Sequence, residues 1–236
     1  MSRAAAGALA AVLVLAPALA AAQAPARGDS IVAACMAKDT ATMWSRVAAR
    51  WSADSDSRWA NDSLRRALLA LGRADQAVRP ASHLADSMVS PDFAARMARR
   101  DSADARALQT IIDRFGWPTR SLVGVAAADA AFFIAQHNTS LHEEALALMR
   151  ALPAGEYSPT EFAMLEDRVR VGKGLPQRYG TQLSVAGAGP MRFDSIEDLS
   201  GLAARRAAAG LPPLDLYRCM IGGMYGRPVL DPMARR

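Results

Sequence analysis

The chain has 236 residues, of which 51% are hydrophobic, 22% charged and 6% aromatic, with 28 Lys+Arg against 23 Asp+Glu and two cysteines. That hydrophobic share excludes a disordered chain and two cysteines exclude a disulfide-built scaffold, which leaves a globular protein with attached segments. Its basic residues, all arginine except Lys38 and Lys173, are scattered among acids, as in Asp101-Ser102-Ala103-Asp104-Ala105-Arg106, with no aromatic-interleaved stripe, so nucleic acid is not an expected partner.

In chain order, Arg3 precedes an unbroken small and apolar run from Ala4 to Ala22. One positive charge, an apolar centre and a small-residue end are the parts of a secretory signal, so residues 1–22 are expected to be removed after Ala22. The run is mostly alanine and too weakly apolar for a membrane anchor. The expected protein is periplasmic or secreted, not integral to a membrane. Val32-Ala33-Ala34-Cys35 has the look of a lipoprotein box, but Arg27 to Ser30 separate it from the apolar run that it should end. In an oxidising compartment Cys35 and Cys219 are either bridged or two buried thiols.

Residues 23–104 read as a helical N-terminal extension. A helix is expected over 30–51, a loop over 54–62, a helix from Leu64 to Leu71 ended by Gly72, and another from Ser90-Pro91 toward Arg99. A core domain follows over 105–217, with a tail over 218–236. Within it, Ser121 to Gln136 is apolar nearly all round and reads as a buried central helix. Ser140 with Glu143, and Ser158 with Glu161 behind Pro159, are capping boxes for helices over 141–151 and 159–171. The glycine-rich stretch 172–193 is loop chemistry, with a short hairpin from Thr181–Val185 and Met191–Phe193. Asp194 or Ser195 caps a last helix to Ala209, stopped by Gly210 and Pro212-Pro213. The expected fold is mainly α, a compact multi-helix domain around the central helix.

Projected at about 100° per residue, Arg168 falls between Leu165 and Met164 on an apolar stripe, and Arg206 falls between Leu199 and Leu202. Two guanidinium groups thus face inward, where an isolated charge costs several kcal/mol. Asp129 on the central helix is their candidate structural partner, and an anionic ligand is the alternative. His137 ends the central helix next to Gln136. The run His142-Glu143-Glu144 lacks the second histidine of a zinc-protease helix, so neither metal nor another cofactor is expected.

Trp117-Pro118, Leu122-Val123-Gly124, Gln136-His137, Leu165-Glu166-Asp167-Arg168, Pro176-Gln177-Arg178-Tyr179-Gly180-Thr181-Gln182 and Arg205-Arg206 together resemble a bacterial domain family of unknown function, the one numbered 6624, over about residues 105–217. The resemblance places a family signature on Gln136, His137, Asp167, Arg168, Gln177, Tyr179, Gln182 and one of the arginine pair. It implies no reaction.

Two functions are carried from these residues. In the first, a hydrolase or transferase uses His137 as general acid or base with Asp167 orienting it. Arg168 and Arg206 then hold an anionic group, while Gln136, Gln177, Tyr179 and Gln182 position a small polar substrate. No nucleophile motif, P-loop or dinucleotide fingerprint accompanies them. In the second, an envelope protein binds a ligand or partner without catalysis, and the same polar residues form a structural hydrogen-bond network.

Overall fold

A computed structural model describes Cys35 and residues 59–78, 91–186 and 189–233. These residues are mainly helical with one short antiparallel hairpin. They divide into two compact units, one of residues 59–165 and one of Cys35 with residues 166–233. The helix expected over 30–51, apart from Cys35, and the N-terminal apolar run lie outside the described residues.

In the first unit, α1 spans Asp62–Ala77 and α2 spans Pro91–Phe115. Asn61 starts α1, its side chain accepting from the Leu64 N–H at 3.0 Å. Gly72 does not end this helix, contrary to the sequence expectation. Its missing side chain lets α1 approach the central helix: a Cβ there would stand 2.7 Å from the Cβ of Ala130. The helix beginning at Pro91 likewise runs well past Arg99, because Leu108 and Ile112 keep an apolar stripe going to Phe115.

The helix expected over 121–136 is two. Thr119 caps a single turn, α3 (Arg120–Val123), and the chain then turns at Gly124 into α4 (Val125–His137). Gly124 has φ of 77°, a conformation that disfavours any side chain, and an added Cβ would also meet the Arg65 guanidinium at 2.5 Å. Arg65 in turn donates to the Val123 carbonyl at 3.0 Å and lies over the Trp59 ring. α4 is the expected buried helix: Ala127, Ala131, Ile134 and Ala135 are wholly enclosed, and its alanines admit α1 closely.

Ser140 is not the cap it resembles. A 3-10 turn, Thr139–Leu141, leads directly into α5 (His142–Arg150), which has no side-chain cap. Ser158 does cap α6 (Pro159–Gly172), accepting from the Glu161 N–H at 3.4 Å. The division between the units falls within α6, between Leu165 and Glu166.

In the second unit the hairpin pairs β1 (Leu183–Val185) with β2 (Met191–Phe193), Ser184 opposite Arg192. Val229 adds a single parallel bridge to Met191. The last expected helix is shorter, α7 (Leu202–Ala208), because residues 194–201 are drawn into pairing with the loop before β1, Gln177 bridging Ile196. A further helix, α8 (Leu214–Tyr225), begins after Pro213 and runs into the stretch from 218 that was expected to be only a tail. Leu216, Tyr217, Met220 and Ile221 are its buried face. Cys219 on α8 is bridged to Cys35, which resolves the cysteine alternatives in favour of the disulfide.

Candidate functional site

The polar residues singled out from sequence fall into two groups, one in each unit. Asp167, Arg168, Gln177, Tyr179, Gln182 and Arg206 lie in the second unit, whereas Gln136 and His137 lie in the first.

The second-unit group is organised around the loop joining α6 to β1. Asp167 projects from α6 wholly buried, and its carboxylate accepts from the N–H groups of Arg178 (2.6 Å), Tyr179 (3.0 Å) and Thr181 (3.0 Å) and from the Thr181 hydroxyl (2.9 Å). Burial raises its pKa, and the same donors pull it back down. Gln177 uses its whole side chain internally. Its Oε1 accepts from the N–H groups of Thr181 and Gln182, both at 2.8 Å, and its Nε2 donates to the carbonyls of Gln182 (2.9 Å) and Asp194 (2.8 Å). Gln182 donates from Nε2 to the Thr181 hydroxyl at 3.1 Å, and the Tyr179 hydroxyl donates to Glu166 at 3.2 Å.

Arginines close this loop from outside. Arg206, 1% exposed, donates to the carbonyls of Tyr179 (2.6 Å), Gly180 (3.0 Å) and Pro212 (2.9 Å) and lies over the Tyr217 ring. Arg205 donates to the carbonyls of Arg178, Glu197 and Asp198, and Arg170 reaches the Pro176 carbonyl and Glu197. Burial lowers the pKa of both Arg168 and Arg206 to about 10, so each stays charged at neutral pH. The Tyr217 hydroxyl donates to the Thr181 carbonyl at 2.8 Å, and burial pushes its pKa up. Arg170 and Tyr217 were not singled out from sequence as members of this network, and Arg205 only as one of a pair. Their bonds run largely to backbone carbonyls, which no residue pattern exposes.

In the first unit His137, the last residue of α4, faces α1. Its Nδ1 stands 3.2 Å from each carboxylate oxygen of Asp75. His137 is therefore partnered by Asp75, where sequence suggested Asp167, whose carboxylate is held by the 178–181 loop. Asp75 is wholly buried in the last turn of α1 and also accepts from Gln76 Nε2 at 2.8 Å. Asp101 of α2 joins them: one ligand-type atom from each of Asp75, Asp101 and His137 lies within 4.8 Å of the other two. One turn on, buried Asp104 is held by Nε and Nη2 of Arg100. Asp75 and Asp104 had a sequence signal, since each continues an apolar stripe, after Leu64 and Leu68 on α1 and before Leu108 and Ile112 on α2. Cutting α1 at Gly72 and α2 near Arg99 hid both.

Gln136 is buried beside His137, and its carbonyl accepts from His142 Nε2 at 3.1 Å. That bond buries His142 while Glu143 and Glu144 point outward, so the His142-Glu143-Glu144 run is not a ligand set. The partner found for Asp129 is Glu161, where sequence suggested Arg168 or Arg206. The two hydrogen-bond near Arg120, and burial together with the Asp129 charge holds the Glu161 carboxyl well above its usual range.

A family of unknown function, DUF6624, matches residues 62–230 of this chain. The match is wider than the motifs indicate and takes in α1 with Asp75 as well as α8. No curated protein and no solved structure matches the chain. With most of its length covered, the chain belongs to DUF6624, the family of unknown function.

Proposed function

We propose that this protein is a hydrolase of the bacterial cell envelope, acting on a small polar substrate after export, with His137 as its general acid or base and Asp75 holding the imidazole. The observation that carries this reading is the contact of His137 Nδ1 with both oxygens of Asp75. A carboxylate on one ring nitrogen fixes the tautomer and raises the basicity of the other, which is what acid–base catalysis needs. Asp167, Gln177 and Arg206 leave the catalytic and substrate-binding roles in this reading, because their hydrogen bonds hold the 177–182 loop.

Those same bonds favour a second reading, a non-catalytic envelope protein that binds a ligand or partner. The purified protein lacking residues 1–22, assayed against chromogenic esters, amides, phosphoesters and glycosides, separates the two. Turnover that falls at least ~100-fold in His137→Ala, with the folded fraction unchanged, supports the enzyme. No turnover in the panel, together with full complementation of a deletion strain by His137→Ala, supports the binder. Mass spectrometry of the protein from a periplasmic fraction checks the export step, with a new N-terminus at Gln23 expected.

A further inference from the structure

We infer that Asp75, Asp101 and His137 form a binding site for one divalent first-row metal ion of the zinc type, which rests on the hydrolase reading and gives its His137–Asp75 pair a different task, ligating a metal that activates water in place of direct acid–base work by His137. The three side chains come from three helices, α1, α2 and α4, and present a carboxylate oxygen each from the aspartates and a ring nitrogen from the histidine. Ligands about 2.0–2.2 Å from a tetrahedral metal stand roughly 3.3–3.6 Å from one another. His137 Nδ1 and the Asp75 oxygens are already 3.2 Å apart, and the third group lies within 4.8 Å of both. A change in the side-chain torsions of the half-buried Asp101 covers the remaining distance.

Charge and field point the same way. Two carboxylates and a neutral imidazole bring a charge of −2 to a divalent cation. Arg100, which hydrogen-bonds the neighbouring Asp104, also lies near enough to Asp75 to offset part of that charge. Asp75 lies in the last turn of α1 and His137 is the last residue of α4, so both groups sit beside the negative ends of their helices. Nitrogen with oxygen donors, three in number, suits zinc or manganese and leaves a coordination position for water, as catalytic sites require. A water bound there would have its acidity raised toward neutral pH and, on giving its proton to solvent, would leave a hydroxide as the nucleophile that the sequence otherwise lacks.

The test is titration of the chelator-treated, full mature protein with Zn2+, followed by calorimetry and by the melting temperature. One equivalent bound, with a rise in melting temperature, is expected. Asp101→Asn is the main variant because Asp101 is only half buried, and it should weaken binding at least tenfold while leaving the metal-free melting temperature within ~2 °C of wild type. Asp75→Asn should do the same to binding and is scored only if its circular dichroism matches wild type. Absence of saturable one-equivalent binding, or its retention in Asp101→Asn, overturns the site. Hydrolysis that depends on His137 and survives chelation keeps the enzyme reading and removes the metal. Zinc binding lost in Asp101→Asn, without any turnover, keeps the metal and removes the enzyme.

Discussion

Asp167 and Gln177 show what a buried polar residue does when each of its atoms has a partner. Removing the Asp167 carboxylate strands the N–H groups of Arg178 and Tyr179 and the Thr181 hydroxyl in a part-buried loop, while the Thr181 N–H keeps Gln177 Oε1. Each stranded donor costs about 1–3 kcal/mol. Asp167→Ala is therefore expected to destabilise by roughly 3 kcal/mol or more, and Gln177→Ala by a similar amount. Because each side chain still bonds the Thr181 N–H when the other is lost, the double variant should lose more than the sum in denaturant unfolding. Glu161 carries the residue-scale pH dependence. Its folded pKa lies well above its ordinary 4.5, so between those values the folded state holds more protons than the unfolded chain. Stability then falls as pH rises through that window and is highest below it. Glu161→Gln should flatten that slope and raise the melting temperature at pH 8 by ~2–4 °C, about 1 kcal/mol, with little change at pH 4.

At the scale of elements, the decisive feature is how closely α1 lies on α4. With Gly72 opposite Ala130, the two helices meet with only the Ala130 methyl between them. Gly72→Ala gains about 1 kcal/mol of helix propensity but forces a Cβ into a 2.7 Å contact, and overpacking of that kind costs about 1–3 kcal/mol. A net loss of stability is expected, smaller when combined with Ala130→Gly, and a double-mutant cycle by thermal unfolding measures the coupling. The same close packing holds Asp75 of α1 against His137 of α4. Glycine reads as a helix stop in a linear sequence because its usual place is just past a helix end. At residue 72 it serves a neighbour that the local sequence does not name. Similarly, Ser140 has the spacing of a cap, but the 3-10 turn places the chain differently. The Ser158 cap held because Pro159 sets the first helical residue directly behind it.

Over the whole molecule, the Cys35–Cys219 bridge spans 184 residues. Closing so long a loop removes chain entropy from the unfolded state worth up to about 5 kcal/mol. Reduction, or the double replacement Cys35→Ser with Cys219→Ser, should lower the urea midpoint markedly with little change in the far-ultraviolet circular dichroism at low denaturant. An unchanged midpoint would show that the tie adds nothing to the fold. No helix among the described residues is long and apolar enough to cross a membrane.

Local chemistry was legible where a single segment decides the outcome. The helical class, the buried all-round apolar helix, the Ser158 cap, the 183–193 hairpin and the inward faces of Arg168 and Arg206 follow from periodicity and turn residues, because burial of a stripe or a proline's fixed φ acts within a few residues. Family membership was legible for the same reason, as short motifs of fixed spacing. The partners were not. Sequence marks Asp129, Asp167 and His137 as polar groups in apolar surroundings, yet it takes the packed structure to pair Asp129 with Glu161, Asp167 with the 178–181 backbone and His137 with Asp75. A helix face states only that a group is buried. Which group compensates it depends on distances between segments far apart in the chain, and packing alone sets those.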